Sequence, residues 1–235
     1  ISNAVADLIR SSSTVIAMGH RYSDMDSLGS CVGVACICRK LGVPVHIVYD
    51  SRTTSASVLY RKLREVPAYQ DIFISGDHAM ELLTDDALLI VTDVSRPGFV
   101  DAPQVLQAAQ RIVVIDHHRR ASDYIDNSMV SMHEPYASSA SELVSEMMQY
   151  VLTPSDVLRQ EAECMLAGIM LDTKNFTMKT GVRTFEAAGF LRRAGADTIE
   201  VKCLFADNMD DYFDRCDIIK TAEKYRAGIA IAYSE

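Results

Sequence analysis

The chain has 235 residues, is 49% hydrophobic, and carries 23 basic against 32 acidic side chains for a formal net charge of −9. That acidic balance argues against a large nucleic acid as partner, because such proteins present a basic face. The apolar share is ample for a packed core in one large α/β domain or two small ones. No apolar stretch approaches the ~20 residues of a membrane span, and no signal-peptide pattern is present. Six cysteines (Cys31, Cys36, Cys38, Cys164, Cys203, Cys216) include no Cys-x-x-Cys pair. Several lie in apolar runs and read as reduced core thiols of a cytoplasmic compartment.

Taken in chain order, the apolar patterns predict a short helix over 4–9, a strand over 14–18 and a helix over 28–41. The last is apolar almost all round, as suits a helix buried against a sheet. Gly29 and Gly33 would let it pack closely on that sheet, and Gly42-Val43-Pro44 ends it. There follow a strand over 45–49, a helix over 57–65, a weaker strand over 72–74 and a helical turn over 77–83. A strand over 88–92, a crossover helix over 103–109 and a strand over 111–115 complete the alternation. Such alternation implies an α/β fold with a doubly wound, mostly parallel sheet.

Beyond Pro135 the pattern turns helical, over 138–150, 154–171, 183–194, 198–206 and 210–222, with a last strand over 226–232. The run 165–171 taken alone fits a strand or the end of a helix equally. The domain organisation expected is therefore a Rossmann-like part over about 1–135 and a helical part over about 136–225.

Ligand-type residues recur where apolar runs stop. The first strand ends at Gly19 and delivers His20, Asp24 and Asp26. The strand over 88–92 delivers Asp93, and that over 111–115 delivers Asp116, His117 and His118. The run 165–171 delivers Asp172. Open α/β sheets bind ligands at the carboxyl ends of their strands. Any one of these groups alone reads as a polar loop with chance acids. Together, His20, Asp24, Asp26, Asp93, His117 and Asp172 form an oxygen and imidazole set without thiolate, which suits Mn²⁺, Mg²⁺ or Fe. Six such groups are too many for one ion with open positions and about right for two ions that share a carboxylate.

His-x-x-x-Asp-x-Asp, a lone Asp after an apolar strand, Asp-His-His and a fourth Asp, in that order, resemble the DHH phosphoesterase superfamily. Within it the chain is most similar to the membrane-anchored, GdpP-type cyclic-di-AMP phosphodiesterases. The segments that carry this are Val94-Ser95-Arg96-Pro97-Gly98, Ile115 to Arg120, Ala137 to Glu142, Gly168 to Phe176 and Thr180 to Ala188. The resemblance implies two-metal hydrolysis of a cyclic dinucleotide, cyclic di-AMP, to linear pApA. His20 and Asp24 would hold one divalent ion, Asp26, His117 and Asp172 the other, and Asp93 would bridge them. The histidines favour Mn²⁺ over Mg²⁺. Two ions would offset four aspartates, so a metal-free site should repel phosphate.

His118 is the candidate to hydrogen-bond phosphate, and Asp116 to orient an imidazole. Arg96 and Arg119, with Arg120 beside it, are candidates for substrate contact. Ser139 with Glu142 fits a capping box, and the helix start there would offer N–H groups to an anion. His46, His78 and His133 receive no role. The alternatives are an oligoribonuclease or pAp phosphatase of the same superfamily and a nucleotide sensor that does not turn its ligand over.

Members of this group carry transmembrane and sensory segments before the catalytic part and a substrate-binding DHHA1 domain with a Gly-Gly-His motif after it. None of these is in the sequence. It therefore reads as the cytoplasm-facing catalytic core of a membrane-anchored bacterial protein, dependent on DHHA1 for full affinity. An apolar face on a late helix would serve as core or as a homodimer interface equally well.

Overall fold

The computed structural model describes residues 1–206 and 209–233. A first compact unit runs from Ile1 to Val201. It begins with α1 (Ser2–Arg10), β1 (Val15–Met18), α2 (Met25–Leu41), β2 (Val45–Val48) and α3 (Ser57–Arg64). Next come β3 (Phe73–Ile74), α4 (Gly76–Leu82), β4 (Leu88–Thr92), α5 (Pro103–Ala108), β5 (Ile112–Asp116) and β6 (Val130–His133). The strands form one six-stranded sheet in the order β3-β2-β1-β4-β5-β6. Every neighbouring pair in it is parallel. The strand order reverses between β1 and β4, which opens a crevice at their carboxyl ends.

β1, β4 and β5 are buried at every residue. They read as continuous Val/Ile/Leu runs because both sheet faces are covered. On one face Ile16, Met18, Leu89, Val91 and Val114 pack with Ala79 of α4 and with Val105 and Leu106 of α5. Alternation turns Ala17, Ile90 and Ile115 to the opposite face, which contacts α2 and the later helix α6 (Ala140–Val151).

The helix expected over 28–41 starts earlier, at Met25, because Asp24 caps it. The Asp24 carboxylate accepts the backbone N–H of Asp26 at 2.9 Å and of Ser27 at 3.0 Å. Side-chain caps of this kind satisfy the orphan donors of a first turn. α2 is buried from Asp26 to Cys38. It lies against the sheet at β1, β2 and β4, and packs most extensively on another helix, α7 (Arg159–Asp172). A Cβ on Gly29 would lie 2.7 Å from the Cys164 carbonyl oxygen, and one on Gly33 2.5 Å from Met165 Cε. The close packing expected of both glycines against the sheet is made instead against helices. The run 165–171 is helical throughout.

Two buried glutamates pin α7 in place. Glu161 accepts from Arg39 at 2.7 Å, Tyr69 Oη at 2.8 Å and the Leu158 N–H at 2.7 Å. Glu163 is paired with Lys62 and Arg159, both at 2.7 Å. Charges this deep persist because each is neutralised and hydrogen-bonded, and loss of one partner would leave the other stranded.

α8 (Val182–Arg193) and α9 (Thr198–Cys203) follow α7. From Lys202 a second unit contains α10 (Met209–Lys220) and a two-stranded antiparallel sheet, β7 (Glu223–Arg226) with β8 (Ile229–Ile231). The single strand expected over 226–232 is therefore a hairpin. Gly228, at φ 79°, makes the turn that a continuous strand reading overlooks. β6 was not anticipated either. Only Met132 among its four residues is buried, so an edge strand held mainly by backbone pairing leaves little apolar pattern. Among the described residues no helix is long and apolar enough to cross a membrane.

Candidate metal centre

The six proposed ligands come from five places in the fold. His20 follows β1 by two residues, and its N–H donates to Ser27 Oγ at 3.1 Å. Asp24 and Asp26 are the cap and first turn of α2. Asp93 and His117 follow β4 and β5, and Asp172 is the last residue of α7. The Asp93 N–H donates to the Ile115 carbonyl at 2.9 Å, which carries the β4–β5 ladder one bond past the end of β4. Its φ of 61° lies in the left-handed region. That costs a non-glycine residue of order 1 kcal/mol and is found at sites where surrounding structure enforces it.

Two triads meet at Asp93. His20, Asp24 and Asp93 offer ligand atoms within 4.8 Å of one another, as do Asp26, His117 and Asp172. Asp93 Oδ2 is 3.3 Å from His20 Nε2, while its Oδ1 is 3.3 Å from His117 Nε2. One carboxylate therefore faces both halves, as a bridging ligand must. His117 Nε2 is also 3.2 Å from Asp172 Oδ2 and 3.8 Å from Asp26 Oδ2. Among the described residues, the buried Asp93 Oδ1 and His117 Nε2 have no hydrogen-bond partner. Buried polar atoms without partners are costly, and divalent cations held by these carboxylates and imidazoles would satisfy both. The donor set fits the group.

The electrostatics agree. Burial pulls the His20 imidazole down, but the Asp24 and Asp93 carboxylates outweigh it and raise its pKa to about 10. His117 behaves the same way: burial is overcome by Asp172, Asp93 and Asp26, which lift it to about 11. Asp26 is raised well above its usual range, first by burial and then by the charges of Asp93 and Asp172. A cluster that holds protons this firmly is short of positive charge.

The flanking residues fall into two groups. His118 is half exposed, and its Nδ1 lies 2.9 Å from Asp116 Oδ1. The same oxygen accepts the His118 N–H at 3.1 Å. Asp116 thus orients the His118 ring. Its carboxyl, despite burial, is drawn down to about 2 by His118 and Ser95. The other Asp116 oxygen lies 3.9 Å from Nδ1 of His133, a residue to which the sequence assigned nothing. That relationship follows from β6, whose register sets His133 beside Asp116.

The substrate-contact candidates divide as well. Arg119 is exposed and lines a cleft of ≈ 530 Å³ together with His20, Tyr22, Asp93, Phe99 and His118. Arg96 lines it too, but gives its guanidinium fork to Asp123 at 2.8–3.1 Å. Ser139 is fully buried and its hydroxyl accepts the Glu142 N–H at 3.0 Å. It caps α6 and has no surface for substrate. The helix N–H groups expected to meet an anion do meet one, the side chain of Asp26.

A family model described as "DHH family, N-terminal domain" matches residues 14–169. The chain belongs to the DHH family. It is 42% identical, over 235 residues, to the cyclic-di-AMP phosphodiesterase GdpP of Geobacillus thermodenitrificans, covering 99% of this chain and 36% of that protein. With the GdpP of Bacillus subtilis the identity is 38%, again over 99% of this chain and 36% of the relative. This DHH chain therefore spans about a third of the length of either relative. An exopolyphosphatase-related protein from Bacteroides fragilis shares the fold with a TM-score of 0.82 at 18% identity, over 95% of this chain and 66% of its own. The α/β architecture with a helical C-terminal portion is thus that of DHH proteins, and the His/Asp cluster lies at the carboxyl edge of its parallel sheet.

Proposed function

We propose that this DHH domain hydrolyses cyclic di-AMP to linear pApA at a two-metal centre. The observation that carries the reading is the complete ligand set: Asp93 belongs to one triad and turns its other oxygen to His117 of the second, and the buried Asp93 Oδ1 and His117 Nε2 lack a hydrogen-bond partner among the described residues. Whole-chain similarity to two cyclic-di-AMP phosphodiesterases supports the choice of substrate class.

His20 and Asp24 would hold one ion, Asp26, His117 and Asp172 the other, with Asp93 between them. Mn²⁺ suits a set with two imidazoles. Two bound divalent ions would supply Lewis acidity and lower the pKa of water. The chain's own residues do the rest. Asp116 fixes the His118 ring through Nδ1, which leaves Nε2 free to donate to a phosphate oxygen and stabilise developing charge. Arg119, which makes no ion pair among the described residues, adds a free cation at the cleft rim. No side-chain nucleophile is required.

In its full setting we read the domain as the cytoplasm-facing hydrolytic part of a membrane-anchored bacterial protein, completed by a DHHA1 domain. The test is incubation of the Mn²⁺-loaded protein with cyclic di-AMP and with pApA, followed by chromatography of the products. Appearance of pApA from the cyclic substrate supports the reading. Cleavage of the linear dinucleotide alone overturns it in favour of an oligoribonuclease.

A further inference from the structure

Beside the acidic cluster, the cleft carries an aromatic side chain that hydrolysis does not use. Phe99 is 48% exposed and ends the short turn Pro97–Phe99. One face of its ring is backed by Arg96, whose Cζ lies 4.4 Å from the ring centroid. Arg96 in turn donates to Asp123 through Nε at 3.0 Å and a terminal nitrogen at 2.8 Å. The segment bearing Asp123 is tied back by the Ile125 N–H, which donates to the Ser95 carbonyl at 2.8 Å. The guanidinium is therefore a fixed, flat backing whose charge is already neutralised.

The turn is also stitched to the metal loop. The Arg21 N–H donates to the Phe99 carbonyl at 2.7 Å, and the Asp101 N–H to the Gly19 carbonyl at 3.0 Å. These bonds flank His20 and hold the ring at a set offset from the cluster. A neutralised arginine is a poor phosphate site, whereas a ring covered on one face and open on the other is a stacking surface. Phosphate is better served by the unpaired Arg119 in the same cleft.

We propose that Phe99 is a stacking platform for a purine base and sets the preference of this site for nucleotides over base-free phosphates. The inference rests on the phosphodiesterase reading above for the placement of phosphate at the His/Asp cluster. Titration calorimetry of the Mn²⁺-loaded protein with AMP and with ribose 5-phosphate, which has the same phosphate without a base, tests it. Wild type is expected to bind AMP roughly tenfold more tightly than ribose 5-phosphate. Phe99→Ala removes that advantage by weakening AMP alone, and Phe99→Trp restores it. Equal affinities in wild type, an equal loss of both ligands in Phe99→Ala, or no binding of either at millimolar concentration overturns the platform. A base preference that depends on Phe99, in a protein that leaves cyclic di-AMP intact, would instead sink the catalytic reading and keep the platform.

Discussion

Asp26 and Ala140, 114 residues apart, are joined by a 2.7 Å hydrogen bond from the Ala140 N–H to Asp26 Oδ2. The Ser141 N–H reaches Oδ1 of the same carboxylate at 2.9 Å. A proposed metal ligand thus also fills the N-terminus of α6, and ligand geometry and helix packing share one side chain. The positive end of the helix partly offsets the cost of burying this carboxylate.

Gly168 enforces that arrangement. A Cβ there would run into Ser141 Oγ and lie 2.7 Å from Asp26 Oδ1. Gly168→Ala is expected to destabilise the fold by about 1–3 kcal/mol and to weaken Mn²⁺ binding. Urea unfolding and metal titration measure the two effects, and an unchanged urea midpoint would contradict the packing.

Asp93 faces both triads, so its loss should disable both. Asp93→Ala is expected to cut turnover by at least ~100-fold, more than is lost when groups behind a ligand are removed. Circular dichroism should show an intact fold. Activity close to wild type would rule out the bridging role.

Metal should act as a stabiliser of the whole first unit, because the ligands run from His20 in the loop after β1 to Asp172 at the end of α7. At a hundredfold excess over Kd, Mn²⁺ is expected to add about 2.7 kcal/mol, read as a rise in melting temperature that a chelator reverses. A melting temperature indifferent to both would mean that the cluster holds no ion.

Asp116 and His118 should behave as one unit. Asp116→Asn and His118→Ala are each expected to lower kcat by about 10–100-fold, and the double variant to be little worse than either alone. Full additivity would show that the two residues act separately.

Asp101, whose N–H donates to the Gly19 carbonyl beside His20, offers a pH test. Burial first, and then the charge of Asp50, raise its pKa to about 6. The folded state therefore binds this proton more tightly than the unfolded chain, and the contribution is most favourable below pH 4 and is lost as pH rises through 6. Asp101→Asn should gain of the order of 1 kcal/mol relative to wild type at pH 7.5, with little gain at pH 4. Urea midpoints of both proteins at the two pH values decide it.

Much of this organisation is legible in the sequence, for identifiable reasons. β1 is apolar throughout, and β4 and β5 are apolar up to a single polar last residue, Thr92 and Asp116, so both the strands and the ligands at their ends stand out. The start of α2 was hidden because Asp24, Asp26 and Ser27 read as loop residues, although the cap and the polar first turn are themselves a helix signal. β6 escaped for want of buried side chains, and His133 escaped with it. The commitment of Arg96 to Asp123 joins positions 27 residues apart through a loop, which periodicity does not register. Ser139 was recognisable as a cap, but only packing reveals that it is sealed from the cleft.

The glycines along α2 and α7 have a mechanical meaning as well. Gly29 and Gly168 bring the two helices so close that no atom remains to be squeezed out between them. α2 bears Asp24 and Asp26 at one end, and α7 bears Asp172. The pair works as a strut of fixed width: its girth is set by missing side chains, and the gap that the proposed ions would span is set by its girth.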